Sequence, residues 1–162
     1  MDPSTNPFPE TDPDRRALWD MLMRRDFEAF VGQDWNMVAD DFIAESFFGL
    51  HAGFQSDADR WRLQFPRLDI YRDEWLRQAA ETAATAFAEP LLPALFRSVR
   101  LDDIDIGGDR AVLHKKFDGT IAKADGTQDR LLWQTLYFCR KVEGRWRIAG
   151  FVGYMPLPLC GG

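Results

Sequence analysis

The chain has 162 residues, 46% of them apolar and 28% charged, with a formal net charge of −6. This length suits one domain, and a chain of that size buries about two-thirds of its unfolded surface. The acidic balance, without any Lys/Arg run, leaves no footprint for nucleic acid, whose binding depends on neutralising phosphates. No apolar stretch reaches the ~20 residues needed to span a bilayer, so no membrane partner is expected. Cys139 and Cys160 fit neither a metal-binding spacing nor a disulfide framework. The opening MDPSTNPFPETDPD is acidic and proline-rich, unlike a secretory leader, and a cytoplasmic location is the expectation. Six Trp and thirteen Phe point to a large core, an apolar cavity or an apolar interface.

In chain order, residues 1–11 read as a flexible arm, because they hold three prolines and few apolar groups. A single domain over residues 12–156 and a tail over 157–162 complete the expected organisation. Asp12-Pro13 predicts a helix start, an N-cap acid followed by proline at the first turn. Leu18, Met21, Leu22 and Ala29 follow at helical spacing, and Gly32 fits the end. Asp34 can cap a short second helix, with Asp40 and Asp41 ending it and facing water. Phe42 to Leu50 predicts a short strand, and Ser56 or Asp57 a capped turn through Trp61. Phe65-Pro66 breaks the chain. Asp69 opens the longest helical pattern, DIYRDEWLRQAAETAATAF, which Pro90 and Pro93 are expected to end.

From Phe96 the pattern changes to period two. Four segments, roughly 96–106, 110–123, 128–141 and 145–154, are separated by Gly107-Gly108-Asp109, Asp125-Gly126 and Glu143-Gly144, turn signals that join antiparallel strands. The third segment, LLWQTLYFC, is nearly continuous apolar sequence, as in a strand covered on both faces. Helices first and a strand meander afterwards give an α+β fold, with N-terminal helices packed on a curved, mainly antiparallel sheet.

The run ADDFIAESFFGLHAG after two helices, the helix from Asp69, and the closing EGRWRIAGFVGYMP resemble the nuclear transport factor two-like superfamily over about residues 13–156. SnoaL-type polyketide cyclases, ketosteroid isomerase, scytalone dehydratase and limonene epoxide hydrolase share its cone fold. The resemblance implies a deep pocket between helices and concave sheet, often with dimerisation through the outer sheet face. A homodimer through that face, bearing Trp133, Thr135, Tyr137 and Phe151, is therefore expected. The catalytic sets of the named relatives are not matched. Ser46 stands where the isomerase carries its base, Leu136 falls near its second pocket carboxylate, and the hydrolase's Asp-Arg-Asp set has no counterpart.

Taking Asp125-Gly126 as a two-residue hairpin turn places Lys115 opposite Leu136 and Phe117 opposite Gln134. One face then holds Leu113, Lys115, Phe117, Leu132, Gln134, Leu136, Phe138, Ile148, Val152 and Tyr154. The other holds His114, Lys116, Asp118, Trp133, Thr135, Tyr137, Cys139 and Phe151, and a slip of one residue exchanges the sets. Assigning the first face to the pocket makes Lys115, Gln134 and Tyr154 candidate ligand-binding groups, joined by Tyr71 from the helix. A buried ammonium at Lys115 needs Glu45, a ligand anion or a carbonyl group as partner. His51, whose ordinary pKa lies near neutrality, and Glu45 are the candidate acid/base residues. No metal or cofactor motif is present. Two functions follow as expectations: a pocket for a small, largely apolar or weakly acidic ligand, or a cofactor-independent lyase or isomerase using a pocket acid/base.

Overall fold

Asp12 and Pro13 start the first helix as their chemistry dictates. The Asp12 carboxylate accepts from the Arg15 N–H at 3.2 Å, and proline occupies the first turn, where its missing N–H costs nothing. The computed structural model, which describes residues 1–160, follows this helix through α1 (Pro13–Trp19), a wider π turn (Asp20–Arg25) and α2 (Asp26–Val31), ending at Gly32. Its buried stripe includes Leu18, Trp19, Leu22, Phe27 and Ala29. Residues 1–11 fold back along it: Asn6 Nδ2 donates to the Arg16 carbonyl at 3.0 Å, Arg16 donates to the Phe8 carbonyl at 2.6 Å, and Phe8 packs on the core.

Short 3-10 turns at Trp35–Met37, Ala39–Asp41 and Ala44–Ser46 lead into β1 (Phe48–His51). Asp41 is not the solvent-facing helix end expected of it. It is 1% exposed and clamped by Arg25, at 2.8 and 3.0 Å, and by Arg145, at 2.8 Å. Two guanidinium groups supply the counter-charge that a buried carboxylate requires. The triad ties the π turn to the last strand.

After β2 (Arg62–Phe65), the helix α3 (Leu68–Ala83) carries Trp75 and Ala79 inward. Pro90 and Pro93 do not terminate a helix; they open a further one, α4 (Leu91–Ser98), whose first turn tolerates proline because its N–H groups have no partner to lose. The strands β3 (Val99–Gly107), β4 (Arg110–Ala122), β5 (Gln128–Val142) and β6 (Arg145–Met155) follow. The sheet order is β2-β1-β6-β5-β4-β3, with β1 parallel to β6 and every other pair antiparallel. The result is an α+β fold in which helices lie in the concavity of a curved, unclosed sheet.

The sheet register departs from the sequence reading at two hairpins. Between β4 and β5, Gly126 donates to the Lys123 carbonyl at 3.1 Å and Lys123 donates to Thr127 at 2.9 Å, with Gly126 at φ +88°. That is a three-residue loop closed by a glycine bulge, one residue longer than a tight two-residue turn. Lys115 therefore pairs with Thr135 and Phe117 with Trp133. Between β5 and β6 the turn is tight at Glu143-Gly144, but irregularities between Phe138 and Cys139 and between Gln134 and Leu136 shift the pairing again. The set Leu132, Gln134, Leu136 and Phe138 consequently moves to the outer face. Trp133, Thr135, Tyr137 and Phe151, expected outside at a subunit interface, face the helices instead. On the outer face, β1 approaches β6 so closely that a Cβ at Gly150 would lie 2.4 Å from the Phe48 ring.

Candidate functional site

Between α2, α3 and the concave sheet lies a cavity of about 520 Å³, partly open to solvent. Eleven Phe, Tyr and Trp side chains line it, with charged and polar residues among them. Phe117 and Trp133 stack at 4.5 Å with an interplanar angle of 18°, and Phe151 packs against Tyr71 at 4.9 Å. Phe27, Phe30, Phe65 and Trp75 contribute further apolar surface.

Helical geometry sets the polar floor. Asp26 follows Leu22 by four residues and precedes Ala29 by three, so its side chain falls on the buried stripe of the first helix. Lys115 reaches it from β4. The Lys115 ammonium is 1% exposed, donates to Asp26 Oδ2 at 2.8 Å and to the carbonyl of Leu22 in the π turn, and sits 4.5 Å from the centre of the Phe27 ring. Carboxylate, carbonyl and ring face together compensate its desolvation. Lys115 lies behind the lining rather than on it; the group that reaches the cavity is Asp26, whose side chain is 28% exposed. Its Oδ1 has no hydrogen-bond partner among the described residues.

Tyr71 from α3 and Tyr137 from β5 complete the floor. Burial first, and then neighbouring charge including that of Asp26, raises both phenols well above the ordinary tyrosine range. Both remain protonated donors at neutral pH. Neither hydroxyl, nor that of Thr135, which also lines the cavity, finds a protein partner among the described residues, and none is sealed from solvent. A cavity-facing polar group without a protein partner is satisfied by water or by a ligand.

The mouth carries a second polar group of residues. His51 stacks on Tyr154 at 4.5 Å, and its Nδ1 accepts from the Gly53 N–H at 3.0 Å, leaving the proton on Nε2. Burial, assisted by Arg62 and opposed by Glu74, lowers its pKa, so the ring is neutral at pH 7. Tyr154 lies at φ +55°, a left-handed conformation uncommon for non-glycine residues. This conformation places Tyr154 and Gly153 next to each other in the cavity lining. The Tyr154 hydroxyl donates to Gln78 Oε1 at 3.4 Å, and burial raises its pKa. Glu74 accepts from Arg77 at 2.7 Å, which holds its carboxyl below the usual range.

Of the residues singled out from sequence, Tyr71, Tyr154 and His51 line the cavity. Lys115 stands one layer behind it. Glu45 is exposed on the Ala44–Ser46 turn, outside the lining, and Gln134 is turned to the other face, where its Nε2 donates to the Pro156 carbonyl at 2.8 Å. Asp26 and Tyr137 were missed. Asp26 had one legible signal, a carboxylate interrupting an apolar helical stripe; Tyr137 was lost to the register.

This combination of helices within a curved, unclosed mixed sheet defines an α+β fold of the cone type. Solved structures give it a name: the chain has the nuclear transport factor 2-like, cystatin-like fold. An NTF2-like protein of unknown function from Shewanella baltica matches with a TM-score of 0.54 at 16% identity, covering 90% of this chain and 95% of that one. A conserved protein from Planctomyces limnophilus matches with a TM-score of 0.57 at 17% identity, covering 88% and 95%. An NTF2-like protein with a cystatin-like fold from Novosphingobium aromaticivorans matches with a TM-score of 0.54 at 13% identity, covering 93% and 90%. No protein-family model and no curated protein matches the chain.

Proposed function

We propose that this protein binds a small, largely apolar molecule in the cavity, polar end towards Asp26, Tyr71 and Tyr137. The observation that carries the reading is a set of cavity-facing hydroxyls and a carboxylate oxygen without protein partners at the base of aromatic walls. A volume of about 520 Å³ falls within the range of small-molecule sites, roughly 300–1,000 Å³. His51, Tyr154, Gln78 and Glu74 then line the entrance. Native mass spectrometry of gently purified protein tests the reading directly: a bound small molecule, released on denaturation, is the expected result.

A second reading rests on the free oxygen of Asp26 beside two protonated phenols. A carboxylate base next to fixed hydrogen-bond donors is the equipment for proton transfer at a carbon adjacent to a carbonyl, as a cofactor-independent lyase or isomerase requires. In that case Asp26 is the base and the tyrosines steady the developing oxyanion, roles for which exposed Glu45 is badly placed. This is the reading nearest to the SnoaL-like resemblance. Asp26→Asn abolishing turnover while leaving ligand binding measurable would support it.

Self-association is proposed through the outer sheet face, where half-buried Leu50, Leu136 and Phe138 surround Val152 and Leu132 is 40% exposed. No helix is long and apolar enough to cross a membrane. The free thiols of Cys139 and Cys160 support a reducing, cytoplasmic setting.

A further inference from the structure

We propose that the cavity floor selects a neutral phenol: a flat aromatic ring whose hydroxyl donates to the free oxygen of Asp26 and accepts from Tyr71 or Tyr137. The inference rests on the pocket reading above and names the ligand class.

Charge comes first. Asp26 and Lys115 form a 2.8 Å pair, so the floor is electrically balanced before anything binds. Lys115 has no direction left for a ligand, because it is buried against Asp26, the Leu22 carbonyl and the Phe27 ring. The other cations of the lining, Arg77 and Lys123, are paired with Glu74 and Glu81 and with Asp129, so a ligand carboxylate at the floor meets Asp26 without a free cation to receive it, and repulsion in a low-dielectric site is costly. A ligand ammonium would sit against Asp26, but within the field of Lys115, and would lose its hydration for a charge already neutralised.

Hydrogen-bond capacity decides the polar group. Asp26 Oδ1 only accepts; the Tyr71 and Tyr137 hydroxyls, held protonated by burial, are free to donate. One hydroxyl satisfies both sides at once, donating to the carboxylate and accepting from a tyrosine. An ether or ketone meets only the tyrosines, and leaves Asp26 Oδ1 unpaired. A phenol is a stronger donor to a carboxylate than an aliphatic alcohol, and charge-assisted bonds of this kind are about twice as strong as neutral ones. The walls supply the rest. The stacked Phe117–Trp133 pair and Phe151 present flat faces, which suit an aromatic ring in offset or edge contact.

The test is a calorimetric titration of the full chain at neutral pH with four compounds of one shape: naphthol, its methyl ether, the naphthoate anion and the naphthylmethylammonium cation. Naphthol is expected to bind about tenfold or more tighter than its ether, and naphthoate not measurably. In the Asp26→Asn variant the preference for naphthol over its ether should shrink to about threefold or less, while the affinity for the ether, which never used that oxygen, is retained. In the Tyr71→Phe/Tyr137→Phe variant both ligands lose the tyrosine donor and should weaken together, with the preference for naphthol kept; if Asp26→Asn fails to fold, this variant and the wild-type series carry the test. Equal binding of naphthol and ether overturns the phenol assignment and leaves the pocket reading standing. Tightest binding by the anion or the cation overturns the charge argument. No binding by any of the four at millimolar concentration removes the pocket reading itself.

Discussion

Replacing Lys115 by Met removes one charge of a buried pair while roughly preserving volume. The ammonium is 1% exposed and compensated by Asp26 at 2.8 Å, the Leu22 carbonyl and the Phe27 ring. Breaking a fully buried pair from one side costs about 3–5 kcal/mol, because the partner's charge is left uncompensated. Here the partner left behind, Asp26, has a side chain 28% exposed to the cavity and retains some hydration. The expected cost is therefore lower, about 2–4 kcal/mol. For a chain of this length, that corresponds to a fall in Tm of about 5–15 °C. Asp26→Leu should cost at least as much, since it strands the less exposed ammonium. The double variant Lys115→Met/Asp26→Leu should recover most of the loss, because replacing both members of a buried pair by apolar groups is often near neutral. Differential scanning calorimetry on the four proteins gives the cycle. Single-variant shifts below about 1 °C, or strictly additive losses, would refute the pairing on which the site is built.

Alkaline titration gives a second test. Tyr71, Tyr137 and Tyr154 are the only tyrosines in the chain, and burial raises the pKa of all three. Each holds its proton in the folded state above the ordinary value of about 10, so the stability these phenols contribute is present below that pH and is lost as pH rises above it. Tyrosinate absorbance should appear only above pH ~10, with that of Tyr71 and Tyr137 coming well above it and together with loss of tryptophan near-ultraviolet dichroism; a transition of all three near the ordinary value would contradict the burial. Gly150→Ala places a methyl 2.4 Å from the Phe48 ring and should cost about 1–3 kcal/mol, read as a lowered denaturant midpoint; an unchanged midpoint would mean that β1 and β6 are not so close. For the outer face, sedimentation should show a dimer that Leu136→Asp/Phe138→Lys converts to a folded monomer. A wild-type monomer at micromolar concentration ends that proposal.

Where the chain was legible, local chemistry and tertiary context agreed. Asp12-Pro13 starts a helix and Gly32 ends it; Glu143-Gly144 makes a tight turn with both residues at positive φ. These signals need only a few neighbouring residues. The site was harder because it depends on register. One extra residue at the Gly126 bulge, and two irregularities along β6, decided whether Tyr137 or Leu136 looked into the cavity. Asp125-Gly126 is compatible with either loop length, so local sequence does not choose between them. Pro90 and Pro93 are equally ambiguous, since proline stops one helix and opens the next with the same chemistry. β2 lacked alternation because three of its four residues are exposed at the sheet edge. Asp26 and Asp41 share a different difficulty: a carboxylate on a helix or turn reads as solvated unless its partners are known. Those partners, Lys115 and the pair Arg25 and Arg145, are distant in sequence or supplied by another element.

The central claim is the polar floor of the cavity, and a crystal structure of the protein as purified tests it most directly. The account predicts an open cavity of about 520 Å³, with Lys115 paired to Asp26 and ordered density, from water or a ligand, within hydrogen-bond distance of Asp26 Oδ1 and the Tyr71 and Tyr137 hydroxyls. A cavity filled by the Phe117 and Trp133 rings, or a Lys115 side chain turned to the outer face of the sheet, would contradict it.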